Sequence, residues 1–202
     1  MRSGSSLKRE LLALCALLLF GGMSWTAPTE DAKPLTAILL VARGELRDPN
    51  FADSVVLVMN NLGPGPVGLV VNRPTEIPVA HLFPDLKRLA QVHDKVYFGG
   101  PVELGSVWFL FHAANAPEHA VRAFGGIYLS ADRALLLQLL GREKPMDELR
   151  IFVGHSGWAP GQLEGEIARG DWALERAAPD AIFKRKSEHP WPTPQKPNRS
   201  TS

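Results

Sequence analysis

Cysteine is nearly missing from this chain. Its 202 residues hold one, Cys15, inside an apolar leader. The rest of the chain has no thiol, which excludes internal disulfides, a cysteine nucleophile and cysteine-based zinc sites. A thiol-free body also suits an oxidising compartment, where an unpaired cysteine is a liability. Histidine is sparse as well. His81, His93, His112, His119, His155 and His189 include no pair at the i, i+3 or i, i+4 spacing of a helical ligand pair. Neither a metal nor a cofactor is expected.

Excess charge of either sign is also missing from the total, which is +1. The leader (1–27) carries +2 and the stretch from Lys184 onward +4, so residues 28–183 carry −5. An acidic body lacks the clustered Lys and Arg that bind a phosphate backbone. Nucleic acid is therefore not expected as a partner.

The leader has a basic start (Arg2, Lys8, Arg9), an apolar run from Leu11 to Phe20, and small residues at Gly21, Gly22, Ser24 and Ala27. That order predicts a signal peptide in residues 1–27, cleaved after Ser24. The alternative is an uncleaved anchor, with residues 11–27 as a membrane tether, although the apolar run is short for a span. Export to the periplasm or anchoring at the inner membrane follows from these readings; a cytoplasmic chain is the remaining alternative.

What is present is enough apolar sequence, 45% of residues, to bury a core. After a polar linker (28–34), "LTAILLVAR" reads as a buried strand, and "SVVLVMN" and "PVGLVVNRP" as two more joined in a hairpin through "NLGPG". Between the first two, "ELRDPNF" is a turn built on Asp48-Pro49-Asn50. "VAHLFPDLKRLA" is helical but interrupted at Pro84. "KVYFGGPV" and "SVWFLFHA" predict strands around a Gly-Gly-Pro corner, and "GGIYLS" predicts another. "SADRALLLQLLG" is a helix that Ser130 can cap, with Asp132 at its positive end and Gly141 closing it. "LRIFVGHSG" is a strand running into a turn at Gly154–Trp158, and a helix follows with Pro160 at its first position. Residues 184–202 are basic and Pro-rich, the composition of a disordered tail. Strands outnumber helices and arrive in hairpins. The expectation is one α+β domain over 35–183, a mixed or antiparallel β-sheet or small barrel flanked by helices.

Two motifs invite chemistry and do not sustain it. "GHSGW" (154–158) comes close to the nucleophile elbow G-x-S-x-G, but Trp158 occupies the place of the last glycine. In that fold the histidine partner follows the serine, and here the only later one is His189, in the tail. "GPGPVG" (63–68) matches G-x-G-x-x-G, yet Pro64 and Pro66 remove two N–H groups that phosphates would need, and a strand follows. A hairpin loop explains it. A third feature is positional. Asn72-Arg73-Pro74, Gly99-Gly100-Pro101 and Gly154–Trp158 each end a hydrophobic strand, and neighbouring strands would bring them to one concave edge. The candidate ligand-binding set is Asn72, Arg73, Gly99, Gly100, His155, Ser156, Trp158 and Gln162, with Arg73 as the fixed charge; no catalytic residue is assigned. The plainer reading is that Asn72 and Arg73 close backbone hydrogen bonds at strand ends.

Four segments in order, "RDPNFADSV" (47–55), "GLVVNRP" (68–74), "GGPV" (99–102) and "GHSGWAPGQLEGE" (154–166), resemble the YqgE/AlgH family of bacterial proteins. The resemblance spans roughly Leu35 to Phe183 and implies a single α+β domain. It implies no established catalytic activity, and its link to alginate regulation is an association, not a mechanism. Typical members begin near the first strand and look cytosolic, whereas this chain adds a leader and a basic tail.

Function then reads as a non-catalytic binding or regulatory domain for a small molecule or protein. The alternative is a hydrolase or transferase using Ser156 or His155. A third reading makes the tail's His189-Pro190-Trp191-Pro192 a docking peptide.

Overall fold

Three apolar runs build the first layer of the fold because both of their faces are covered. Strands β1 (Ala37–Ala42), β2 (Val55–Met59) and β3 (Val67–Val70) form an antiparallel meander. Its register sets Leu39 beside Leu57 and Leu57 beside Leu69, a cross-strand row on one face. These leucines face an inner core with Val55, Met59 and Phe152, while Leu40, Val56, Val58 and Val70 face a second core with Trp158, Leu163 and Trp172. Two-sided burial is why these strands read as continuous hydrophobic runs instead of alternating ones. The computed structural model describes residues 37–43, 46, 48–60, 62 and 64–183. The leader, the 28–34 linker and the 184–202 tail lie outside the described residues.

The chain continues through β4 (Pro74–Pro78), a short helix α1 (Val79–Leu82), a 3₁₀ turn (Lys87–Gln91) and β5 (Lys95–Phe98). Pro84 separates the two helical pieces, as its missing N–H and clashing ring require. Then come β6 (Val102–His112), β7 (Val121–Phe124), β8 (Ile127–Ser130), helix α2 (Arg133–Leu140), β9 (Leu149–Gly157), helix α3 (Gln162–Arg169), β10 (Trp172–Arg176) and a last helical turn α4 (Pro179–Phe183). The strand order is β10-β1-β2-β3-β9-β6-β8-β7, with β5 beside β9 and β4 beside β5. Every pairing is antiparallel except β5 with β9. The sheet curls, as a half-barrel, around the inner core, which collects Leu110, Ile127, Leu129, Phe152 and Ile182. The alternate residues Phe109, Phe111, Tyr128 and Ile151 face outward under α2 and the 3₁₀ turn. This is the single α+β domain that the strand-and-hairpin pattern implies.

Several local expectations need correction. Ser130 does not cap α2: its hydroxyl donates to the His119 carbonyl at 2.6 Å and accepts from Asp132 N–H, while Asp132 Oδ1 accepts from Leu135 N–H at 2.7 Å. The cap is Asp132. Helix α3 starts at Gln162, after Gly161 in a left-handed conformation (φ 80°), so Pro160 precedes the helix. Gly154 to Gly157 are not a turn but the end of β9, where Ser156 and Gly157 pair with Gly68 and Val67. Strands β5 and β6 flank β9 and do not pair with each other across the Gly-Gly-Pro corner.

Candidate functional site

Along one edge of β9, β5 hands over to β3, and the handover brings the expected edge residues together. Gly99 sits at the junction. Its N–H donates to the Val153 carbonyl at 2.9 Å, and its carbonyl accepts from Val70 N–H at 2.9 Å and from the Ser156 hydroxyl at 3.1 Å. Backbone meets backbone here. A Cβ on Gly99 would collide with the Gly154 carbonyl, one on Gly100 with the His155 carbonyl and Ser156 Oγ, and one on Gly154 with the Gly100 carbonyl. Gly154 also holds φ 67°, a conformation open mainly to glycine.

Asn72 and Arg73 are committed to the fold. Asn72 Oδ1 accepts from Val55 N–H at 2.9 Å, and its Nδ2 donates to the Asp53 carbonyl at 2.8 Å. Arg73 donates through Nη1 to the Asn50 carbonyl (2.6 Å) and through Nη2 to that of Ala52 (2.9 Å), and its guanidinium lies 5.7 Å from the Phe98 ring centre. Together they hold the 48–53 loop, whose Asp48 carboxylate accepts from Asn50 N–H at 2.8 Å, the Asx turn expected from sequence. That loop delivers Phe51 onto Trp158 (ring centres 6.1 Å apart, stacked) and against the edge of Trp172 (5.9 Å).

Trp158 and Gln162 meet at a carboxylate that sequence reasoning passed over. Glu166 Oε2 accepts from the indole N–H groups of both Trp158 and Trp172, each at 2.9 Å. Its Oε1 accepts from Gln162 Nε2 at 3.0 Å, while Gln162 Oε1 accepts from Ala159 N–H at 3.1 Å. A usable signal was present, since Gln162 and Glu166 stand four apart on one helix face. Trp172 gave none, because its partner is six residues back across a turn.

Ser156 and His155 do not form a nucleophile–base pair. The Ser156 side chain is wholly buried and its hydroxyl is given to Gly99. His155 points the other way along the alternating strand, its ring 5.6 Å from that of Trp108, with Nδ1 buried and without a hydrogen-bond partner. Burial pushes the His155 pKa below the ordinary imidazole value, partly opposed by the negative charge of Glu103. Its neutral form is favoured. Among the described residues no group of His, Asp and Glu is arranged to hold a metal ion.

A separate opening lies where the curled sheet meets α4. It is a cleft of about 350 Å³ between Asp94–Tyr97, Met146–Arg150 and the pair Pro179 and Phe183. None of the eight expected edge residues lines it. Arg150 reaches into it from β9, two residues before the inner-core Phe152 and so on the same face. Its one signal in the sequence is a lone charge inside the apolar run "LRIFV".

The edge geometry coincides with the segments that carry the family resemblance, and comparison with known proteins agrees. The AlgH-like family matches residues 39–196. This chain belongs to that family. Its match reaches past Phe183 into the Pro-rich stretch. A UPF0301 protein of Anaeromyxobacter sp. strain Fw109-5 is 36% identical over 178 residues, covering 82% of this chain and 89% of its own. A UPF0301 protein of Streptomyces avermitilis is 35% identical over 170 residues, covering 80% and 85%. The solution structure of the AlgH protein from Pseudomonas aeruginosa is similar at a TM-score of 0.61 and 28% identity, over 80% of this chain and 85% of that one. A crystal structure from Corynebacterium diphtheriae, 24% identical with a TM-score of 0.58 over 75% and 81%, shares the fold.

Proposed function

We propose that this chain is a non-catalytic binding domain, and that the edge at the β5–β3 handover is a rigid frame for recognition, not a reaction centre. One observation carries the reading: the only serine beside a histidine in the site, Ser156, is buried and donates its proton to the Gly99 carbonyl. A nucleophile needs its hydroxyl exposed and within reach of a base, and this one meets neither condition. Gly99, Gly100, Asn72 and Arg73 shape the frame, and Trp158 backs it. The groups left to face a ligand are the half-buried His155 ring and the exposed Gln162 amide.

The test compares the full chain with His155→Ala and Gln162→Ala variants. Thermal melting is followed against a panel of metabolites, nucleotides and metal ions, and turnover against ester and phosphoester substrates. A ligand that raises the melting temperature by mass action should lose at least tenfold in affinity in one of the variants. Turnover abolished by Ser156→Ala would overturn the reading in favour of the hydrolase alternative. Unchanged affinity in both variants would remove the edge as the binding face.

We also propose that the domain works outside the cytoplasm, behind residues 1–27. The basic and apolar order of that leader supports this. Sequencing the mature N-terminus decides it. A start at Trp25 or Pro28 fits export, while an intact Met1 on protein recovered from the cytosol does not.

A further inference from the structure

The Arg150 cleft holds a cation without an ion-pair partner among the described residues. Arg150 is half-buried, and among the described residues its guanidinium makes one hydrogen bond, from Nη1 to the Val71 carbonyl at 3.3 Å. The guanidinium centre lies 4.4 Å from the Tyr97 ring centre, which holds it over the aromatic face. No carboxylate forms an ion pair with it among the described residues. A guanidinium has five N–H donors in a planar fork shaped for a carboxylate or phosphate. Placed in a cleft with most of those donors unmatched, it needs an anion from outside.

The rim narrows the choice. Lys95 and Glu148 also line the cleft, but each is paired, with Glu76 at 2.8 Å and with His112 at 3.2 Å. Asp94 and Asp147 are exposed there and form no ion pair among the described residues. Two carboxylates on the rim of this cleft repel a dianion such as phosphate and attract an ammonium group. Pro179 and Phe183 supply apolar wall for a hydrocarbon arm. A volume of about 350 Å³ suits a small molecule.

We propose that this cleft binds a small zwitterion of the α-amino-acid class, with its carboxylate on Arg150, its ammonium group toward Asp94 and Asp147, and its side chain against Pro179 and Phe183. Burial lowers the Arg150 pKa from the ordinary guanidinium value, opposed in part by Tyr97 and by the negative charge of Asp94. The site shares no lining residue with the β5–β3 edge, so it stands whether or not that edge binds anything.

The experiment is a two-dimensional NMR titration of the full chain with glycine, L-leucine and L-phenylalanine, and with succinate and inorganic phosphate as anions lacking an ammonium group. L-Leucine or L-phenylalanine should give saturable shifts at the 147–150 amides and the Arg150 side-chain N–H. Arg150→Gln should weaken binding at least tenfold. Asp147→Asn, a surface change that leaves the core alone, should weaken amino-acid binding severalfold and, by removing a repelling charge, strengthen any succinate response. It decides the matter if Arg150→Gln does not fold. The proposal is overturned if none of the three amino acids produces saturable shifts in the cleft, if a folded Arg150→Gln binds as well as the parent, if Asp147→Asn leaves amino-acid binding unchanged, or if succinate or phosphate binds more tightly than every amino acid.

Discussion

Asn72 Oδ1 accepts from the N–H of buried Val55, and its Nδ2 donates to the exposed Asp53 carbonyl. Removing its amide leaves the Val55 N–H without that partner, at a cost of about 1–3 kcal/mol for a buried group. Asn72→Ala should therefore lower stability by about that amount in chemical denaturation, and Asn72→Asp, which keeps the acceptor, by less. His155 makes a prediction with a sign. Its folded pKa is depressed by burial, so the unfolded chain binds the proton more readily. The stability it contributes is complete above the unfolded value of about 6.5 and is lost as pH falls toward the lower folded value. His155→Gln should accordingly flatten the fall in melting temperature between pH 7 and pH 5 relative to the parent. A parallel fall in both proteins would show that His155 is not desolvated.

At the scale of elements, α3 is tied down mainly through one carboxylate. Glu166 accepts both indole N–H groups and the Gln162 amide, joining α3 to β10 and to the end of β9. Glu166→Ala leaves two part-buried donors unpaired, so the loss should reach about 2–4 kcal/mol by the same principle. Tryptophan emission should shift as water reaches the rings. Helix α2 depends on a different device. Asp132→Ala removes its cap and should cost about 1 kcal/mol, whereas Ser130→Ala acts through the His119 carbonyl and not through the helix end. Serine and aspartate two apart both fit an N-cap by type, and only the path of the chain out of β8 settles which one serves.

For the whole molecule, one curled sheet serves the inner core and the two outer ones, and β9 borders β3, β5 and β6 at once. No part can leave without exposing the others. Unfolding should be a single cooperative transition, with far-ultraviolet dichroism and tryptophan fluorescence giving coincident midpoints. Separated midpoints would mean that β10 and α3, which adjoin the outer tryptophans, come away first.

Whatever depends on local pattern was determined by the sequence itself. Strands β1, β2, β3 and β9, the β2–β3 hairpin, the break at Pro84 and the Asp48 turn follow from β-branched runs, proline geometry and turn residues a few positions apart. The nearness of Asn72-Arg73, Gly99-Gly100 and 154–158 was legible too, because each closes a hydrophobic strand. What those side chains do there was not. Asn72 and Arg73 read more plainly as closers of backbone hydrogen bonds than as ligand groups, and only the position of the 48–53 loop shows which carbonyls they hold. Strands β4, β7 and β10 escaped the pattern because each is short and mostly exposed on one side. Strand β10 exists through its register with β1, as Ala42 opposite Trp172 shows. Tertiary structure alone decided that Arg150 lies over the Tyr97 ring in a cleft, with no ion-pair partner among the described residues, because a charge in an apolar strand is informative only once its neighbours from β3, β5 and α4 are in place.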